Sequence, residues 1–442
     1  KKVKLHLDLK NLSIKIKTKN PKIILNNSDQ IELNEISSNI LISFYIQNKF
    51  AIKNLSINSK SNELSSYINF YRIIDNSLQL ILLNQFVKSG MAQVNVDLNF
   101  EDSGKIKNNF NLKGKVTNAE IQIPNKKNIK KLNFNFSIKE KDYNLNKILF
   151  EFNKINFDSE YLKIKKKKDN FFVKGNLKNK NNKINKDLIL LIFNNNLENF
   201  DFLNTKFDST SEFTFDLSKK FKIKNLKIDS KLNLDEFSLN YDLYKIKNFI
   251  KNYNNLIKLK ENKINIKYSE KNFLIDGSSE FYIDERYKNL FNYTISKKEK
   301  KNDFEFFFNL LNMDLVLNEI SYKKNKKDKA TLKIKGSESN KTVLFNNIIY
   351  KDNKNELEIN NLKLNNNKIL NIDKVRFDYL TKNDFKNQLT LIKKNENYEL
   401  IGKSFDSIQL IENISNSQQD NNFFKIFKNL DTKVKIKINE IK

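Results

Sequence analysis

The residue types that carry out covalent or metal chemistry are scarce in this chain. Its one histidine, His6, sits between Leu5 and Leu7 in an alternating stretch, and cysteine is absent. A lone histidine pointing outward from a strand is a solvated side chain. With no thiolate and no second imidazole, a zinc centre or a Ser-His-Asp triad lacks its parts. No glycine-rich phosphate loop occurs, and no pair of carboxylates is set apart by its spacing. The sequence therefore predicts a protein that is not an enzyme and that holds no metal, cofactor or disulfide. Charge and apolar surface are left to act with.

The charge is mostly lysine. Against 52 acidic residues stand 81 basic ones, a formal charge of +29. Such an excess fits nucleic acid, an anionic membrane surface or an acidic partner. It also fits A+T-rich coding, because the chain is saturated with Lys, Asn and Ile. Arg72, Arg286 and Arg376 are the only arginines, few for forked phosphate contacts. The aromatic residues share faces with Ile and Leu, so they are poorly placed as base-stacking platforms, and no nucleic-acid partner is expected. Lysines cluster at Lys165 to Lys168, Lys297 to Lys301 and Lys323 to Lys329, where hairpin tips are predicted. Lys165, Lys166, Lys167, Lys168, Lys323, Lys324, Lys326 and Lys327 are the candidates for a basic rim that meets anionic head groups. Charged tips also protect open sheet edges from pairing, a structural use that needs no ligand.

The apolar residues set the elements. From Val94 to Phe100, Val94, Val96, Leu98 and Phe100 alternate with Asn95, Asp97 and Asn99, the period of a half-buried strand. Asp102-Ser103-Gly104 reads as a turn in which Gly104 takes the left-handed conformation. Leu132, Phe134, Phe136 and Ile138 repeat the alternation, as do Phe150 and Phe152, and then Phe213, Phe215 and Leu217. The 36 Phe and 16 Tyr against 39% hydrophobic residues suit a thin sheet better than a thick core. With 7 Gly and 2 Pro, no stretch looks like a linker.

Residues 1–60 read as strands, among them Ile40, Ile42, Phe44 and Ile46. Residues 61–90 hold an amphipathic helix of about six turns. Ser65 or Ser66 caps its start, Tyr67, Phe70 and Ile74 lie on one face, and Lys88 with Gly90 closes its end. A meander fills 91–240, a second helix 241–258, another strand block 259–403 and a helical segment 404–430, with a further strand opening at 431–442. Phe306, Phe307 and Phe308 are consecutive, so at least one must face the other side. No run approaches the roughly 18 apolar residues of a membrane span. The pattern is already running at Leu5 and still running at Ile438, which predicts a segment of a longer protein with any anchor upstream.

Several landmarks together resemble a family. They are Phe70-Tyr71-Arg72 on a helix, Gly90 to Gln93, Asp102-Ser103-Gly104-Lys105, Leu112 to Val116 with Asn118-Ala119, and the strand endings Val173 to Gly175 and Leu274 to Gly277. With Leu9 to Ser13 and Asn20 to Ile23 at the start, the chain is similar to the periplasmic part of bacterial AsmA-like proteins of the YhdP and TamB type. That resemblance covers most of the chain as a style of pattern and rests on no catalytic motif. It implies a long twisted antiparallel sheet curled into an extended apolar groove, held in the periplasm by an inner-membrane anchor. It also implies passage of phospholipid between the inner and outer membranes, with membrane-protein partners at the ends. The candidate groove lining is then Val94, Val96, Leu98, Phe100, Leu132, Phe134, Phe136, Ile138, Phe150, Phe152, Phe213, Phe215 and Leu217.

The alternation by itself equally describes the core of a two-sheet sandwich, as in a structural surface β-protein with a closed, dry interior. The two readings differ in one physical respect. A single sheet with an apolar face must have that face covered, because exposure is unfavourable by about 25 cal/mol per Å². Acyl chains supply such a cover at about 0.8 kcal/mol per methylene.

Overall fold

The computed structural model describes the chain apart from residues 1, 26–28, 75–76, 123–127, 141, 185–199, 202–204, 241–249, 251–255, 284–287, 299–300, 318–319, 367, 409–410 and 412–431. The fold is mostly β, a long open antiparallel sheet that does not close on itself, with three short helices among the described residues. Contacts divide it into two compact units. The first comprises residues 1–182 and 208–228, the second residues 183–207 and 229–442. Among the described residues no helix is long and apolar enough to cross a membrane. The expected helices over 241–258 and 404–430 fall largely outside the described residues.

In the first unit the strands follow one another as a meander, Lys2–Asp8, Ser13–Lys19, Gln30–Leu41, Ile52–Ser59, Val87–Asn99, Asn111–Ile121, Ile129–Lys139, Asp142–Phe152, Ile155–Lys166 and Asn170–Lys183. Each pairs antiparallel with the next. The turn at Asp102 forms as its residues predict. Gly104 takes φ +80° and donates its N–H to the Glu101 carbonyl at 2.9 Å.

Three local expectations change. The long helix is two helices, Leu64–Ile74 and Leu78–Phe86, and Ser77 between them is extended at φ −70°, ψ 152°. Gly90 closes no helix. It lies inside the strand Val87–Asn99 at φ +137°, where a Cβ would meet the Ala119 Cβ at 2.7 Å. Ile42–Ile46 is a short helix in place of strand. Its ladder partner runs out, since Leu41 is the last residue opposite Ser13, and the Ile42 N–H turns to the Leu12 carbonyl. Alternation persists there, but no strand remains beside it to pair.

Irregularities in the strands keep the apolar residues on one side. Asn118, Lys131 and Lys147 have φ of +49°, +51° and +51°, and the pairing register shifts beside each. A bulge adds one residue and so reverses odd and even positions. The sequence reverses its parity at the same places. Leu112 and Val116 give way to Ala119 and Ile121, and Tyr143 and Leu145 to Ile148, Phe150 and Phe152.

The second unit is built alike from Leu256–Ser269, Asn272–Tyr282, Asn289–Lys298, Lys301–Leu310, Ala330–Ser339, Thr342–Asp352, Asn355–Asn365, Lys374–Leu380, Lys386–Lys394 and Asn397–Phe405. Val434–Ile441 joins the last of these in parallel. A small hairpin, Leu315–Leu317 with Tyr322–Lys324, occupies the connection after Leu310. Among the described residues, the substantial contacts of the long strands are with their hydrogen-bonded neighbours and, in the first unit, with the helices. In the second unit the small hairpin packs on the long sheet, with Leu315 joining the cluster of Phe281, Leu310, Met313 and Ala330 and Tyr322 meeting the rings of Tyr350 and Tyr379.

Candidate apolar face and its rims

Residues directly opposite in a ladder share a face, so the register converts alternation into rows. In the first unit one row runs Val3, Thr18, Ile36, Ile57, Val96, Leu112, Ile138, Tyr143, Ile164, Val173. A second runs Val94, Gly114, Phe136, Leu145, Leu162, Gly175. Thr18 is the one polar residue in either. In the second unit a row passes Ile264, Gly277, Tyr293, Phe306, Ile334, Ile348, Ile359, Val375, Leu391, Leu400 and Ile436 without a charged member.

The glycines in these rows make room for rings. A Cβ on Gly114 would meet the Phe136 ring at 2.4 Å, one on Gly175 the Phe213 ring at 2.8 Å, and one on Gly277 the Tyr293 ring at 2.4 Å. Each aromatic ring therefore lies flat across the neighbouring strand. Burial raises the Tyr293 phenol to about 12, with Asp276 adding to the shift, as an apolar setting requires. Glycine inside a strand pattern is the sequence signal for such close approach, though it does not identify the ring.

All the candidate lining residues are half-buried, but their surroundings differ. Leu132, Phe134 and Phe136 pack with Ala92, Val116 and Ala119 beneath Leu64 and Tyr67 of the first long helix. The Tyr67 hydroxyl is fixed by Ser59 Oγ at 2.6 Å and by Asn62 Nδ2 at 3.0 Å. These three lining residues are thus partly roofed by protein. Val94, Val96, Leu98 and Ile138 continue the rows, and Ile57 opposite Val96 shares a cluster with Tyr67 and Phe70 of the same helix. Phe100 rests on Phe50 at 5.3 Å between ring centroids. Phe150 stacks on Phe157 at 5.4 Å and Phe152 lies opposite Ile155. Phe213 stacks on Phe215 at 6.0 Å, and Leu217 follows on the same strand, Lys206–Ser218.

The opposite faces are polar. Phe307 does point to that side, opposite Asn292 and Lys333, while Phe306 and Phe308 stay in the apolar rows. Cavities of about 740 Å³ and 660 Å³, one in each unit, have polar side chains on their walls. Glu35, Asn58, Asn95 and Lys113 contribute to the first, and Lys263, Asn265, Asp276 and Asn292 to the second.

The lysine candidates separate. Lys165 and Lys166 end the strand Ile155–Lys166, and Lys167 and Lys168 form the tip, with the Lys167 N–H on the Asn170 carbonyl at 2.8 Å. Lys167 pairs with Asp216 at 3.3 Å and lies over the Phe172 ring. Lys323 and Lys327 are exposed and Lys326 is half-buried. Lys324 is not a rim residue. It is 1% exposed, and its ammonium donates to the carbonyls of Met313 at 2.9 Å and Asn325 at 3.1 Å. Burial lowers its pKa, partly opposed by Asp328, Asp352 and Asp314.

A buried polar group beside Lys324 has no clear signature in the sequence. Tyr322 donates to the Asp352 carboxylate and shares a 2.7 Å hydrogen bond with the Tyr350 hydroxyl, while the Tyr379 hydroxyl donates to the Ile320 carbonyl at 2.7 Å. Burial, followed by the Asp352 contact, raises the Tyr322 phenol above its ordinary range. These bonds tie the small hairpin to the strands Thr342–Asp352 and Lys374–Leu380.

No family model, curated protein or solved structure matches the chain.

Proposed function

We propose that this protein is a non-enzymatic lipid conduit, in which phospholipid acyl chains lie along the apolar rows. The observation that carries the reading is an open sheet whose apolar residues line up, strand to strand, into continuous rows within each unit. A soluble monomer ordinarily leaves no more than a few hundred square ångströms of contiguous apolar surface bare. Acyl chains suit such rows because dispersion contacts are nearly equivalent from one position to the next. The AsmA-like resemblance supports the same reading and adds a periplasmic setting, an inner-membrane anchor and delivery toward the outer membrane. Those remain proposals of the resemblance alone.

Native mass spectrometry with lipid extraction, on the chain purified from a bacterial periplasm, tests the proposal. Several phospholipids per chain are expected, and a lipid-free monomer with no accessible apolar surface would sink it. Phe215→Asp provides the matching variant, because Phe215 stacks on Phe213 away from the helix-covered cluster. It should reduce bound lipid while leaving the strand signal in circular dichroism intact. Phe134→Asp is a poorer probe, since Phe134 packs against protein and a charge there threatens folding itself.

A further inference from the structure

We propose that two copies of this chain pair edge to edge through the first strand, Lys2–Asp8, as an antiparallel dimer whose two-fold axis passes at Leu5. The strand pairs with Ser13–Lys19 on one side and, among the described residues, with nothing on the other. Its outer edge therefore offers unpaired N–H and C=O groups, which an added strand satisfies. Val3, Leu5 and Leu7 are exposed as well, so the apolar rows end bare at this edge. An identical strand related by a two-fold axis makes a closed contact.

Parity and charge select the partner and the register. Directly opposite residues of an antiparallel pair share a face, so a register that keeps apolar against apolar joins odd positions to odd positions. Centred on Leu5, a second copy sets Val3 against Leu7, Leu5 against Leu5 and Lys2 against Asp8, and uses all seven residues of the strand. Lys2 faces Lys19 within its own sheet, and Asp8 of the second copy supplies the opposite charge. Asn11 donates to both Asp8 oxygens, at 3.1 Å and 2.8 Å, which favours the ionised carboxylate. Lys4 meets His6, formally neutral at pH 7. Centring on Lys4 would oppose that lysine to itself, and centring on His6 leaves Lys2 beyond the end of the second strand. The edge strand Val434–Ile441 lacks such a match. Centred on Ile436, two copies of it bring Lys435 against Lys437, and centred on Ile438 they bring Ile436 against Glu440. Pairing at the first strand also sets the apolar rows of the two copies side by side, with or without lipid on them.

The chain has no cysteine, so single cysteines introduced into the whole chain report the register without background. Leu5→Cys, at an exposed position, should form a covalent dimer with diamide as oxidant. Opposite Cα atoms in an antiparallel pair lie about 4.5–5.5 Å apart, within the reach of a disulfide. Val3→Cys alone and Leu7→Cys alone should stay mostly monomeric, while their mixture should cross-link as Leu5→Cys does. Lys2→Asp opposes carboxylates at both symmetry-related pairs and should weaken association about tenfold in sedimentation equilibrium, with the strand signal in circular dichroism unchanged. Self-linking of Val3→Cys as fast as Leu5→Cys would reveal a parallel or random contact and overturn the inference. So would a wild-type chain that stays monomeric at every concentration, or association that Lys2→Asp leaves untouched.

Discussion

At the scale of single residues, buried polar groups are the most demanding features. Tyr322 is 4% exposed and donates to Asp352, itself 7% exposed. Removing the hydroxyl leaves a buried carboxylate short of a donor, which costs about 1–3 kcal/mol. Tyr322→Phe should therefore lower the denaturation midpoint and speed amide exchange first in Leu315–Lys324. Glu399 offers a test by pH. Hydrogen bonds from Lys394 and Lys437, the latter at 2.7 Å, hold its carboxyl down at about 2. A depressed acid stabilises the fold above its unfolded value and loses that contribution as pH falls through the folded one. The contribution is thus complete above about 4.5 and is lost toward pH 2. Lys437 belongs to the parallel strand Val434–Ile441, so amide protection of that strand should fall across this window. Glu399→Gln should abolish the dependence.

At the scale of elements, register decides what alternation leaves open. The reversal of parity after Leu145 is visible in the sequence, but it reads equally as a new strand or a bulge. The positive φ of Lys147 and the shifted ladder settle it as a bulge that keeps Phe150 and Phe152 with the apolar set. Gly90 is a similar case. As a residue near a helix end it suggests a cap, yet its use is to let the backbone pass Ala119. Gly90→Ala combines a φ of +137° with a Cβ contact of 2.7 Å and should destabilise by more than about 1 kcal/mol. Thermal melts of this variant beside Gly104→Ala, where φ is +80° and the nearest contact is the Phe50 ring, would show whether the larger loss falls at Gly90. The helix break at Ser77 was illegible because apolar residues at helical spacing continue on both sides of it.

At the scale of the molecule, an open sheet leaves edges as well as a face. Val3, Leu5 and Leu7 on the first strand are 59%, 69% and 52% exposed, and that strand pairs on one side only among the described residues. Exposed apolar edge strands recruit other strands. Leu5→Lys should accordingly reduce concentration-dependent association of this chain by light scattering, and an unchanged profile would exclude the edge as its cause. The sequence by itself determined a β-fold, the alternation that separates an apolar from a polar side, the turn at Gly104 and the lysine-rich tip at Lys165–Lys168. These depend on neighbours close along the chain, which period and composition record. Only the tertiary structure decided that the apolar residues line up into rows across many strands and that Phe134 lies under a helix. It also decided that Lys324 turns inward to carbonyls. Those depend on pairing partners remote in sequence, and the same alternation is compatible with a sandwich or an open sheet until the register is known.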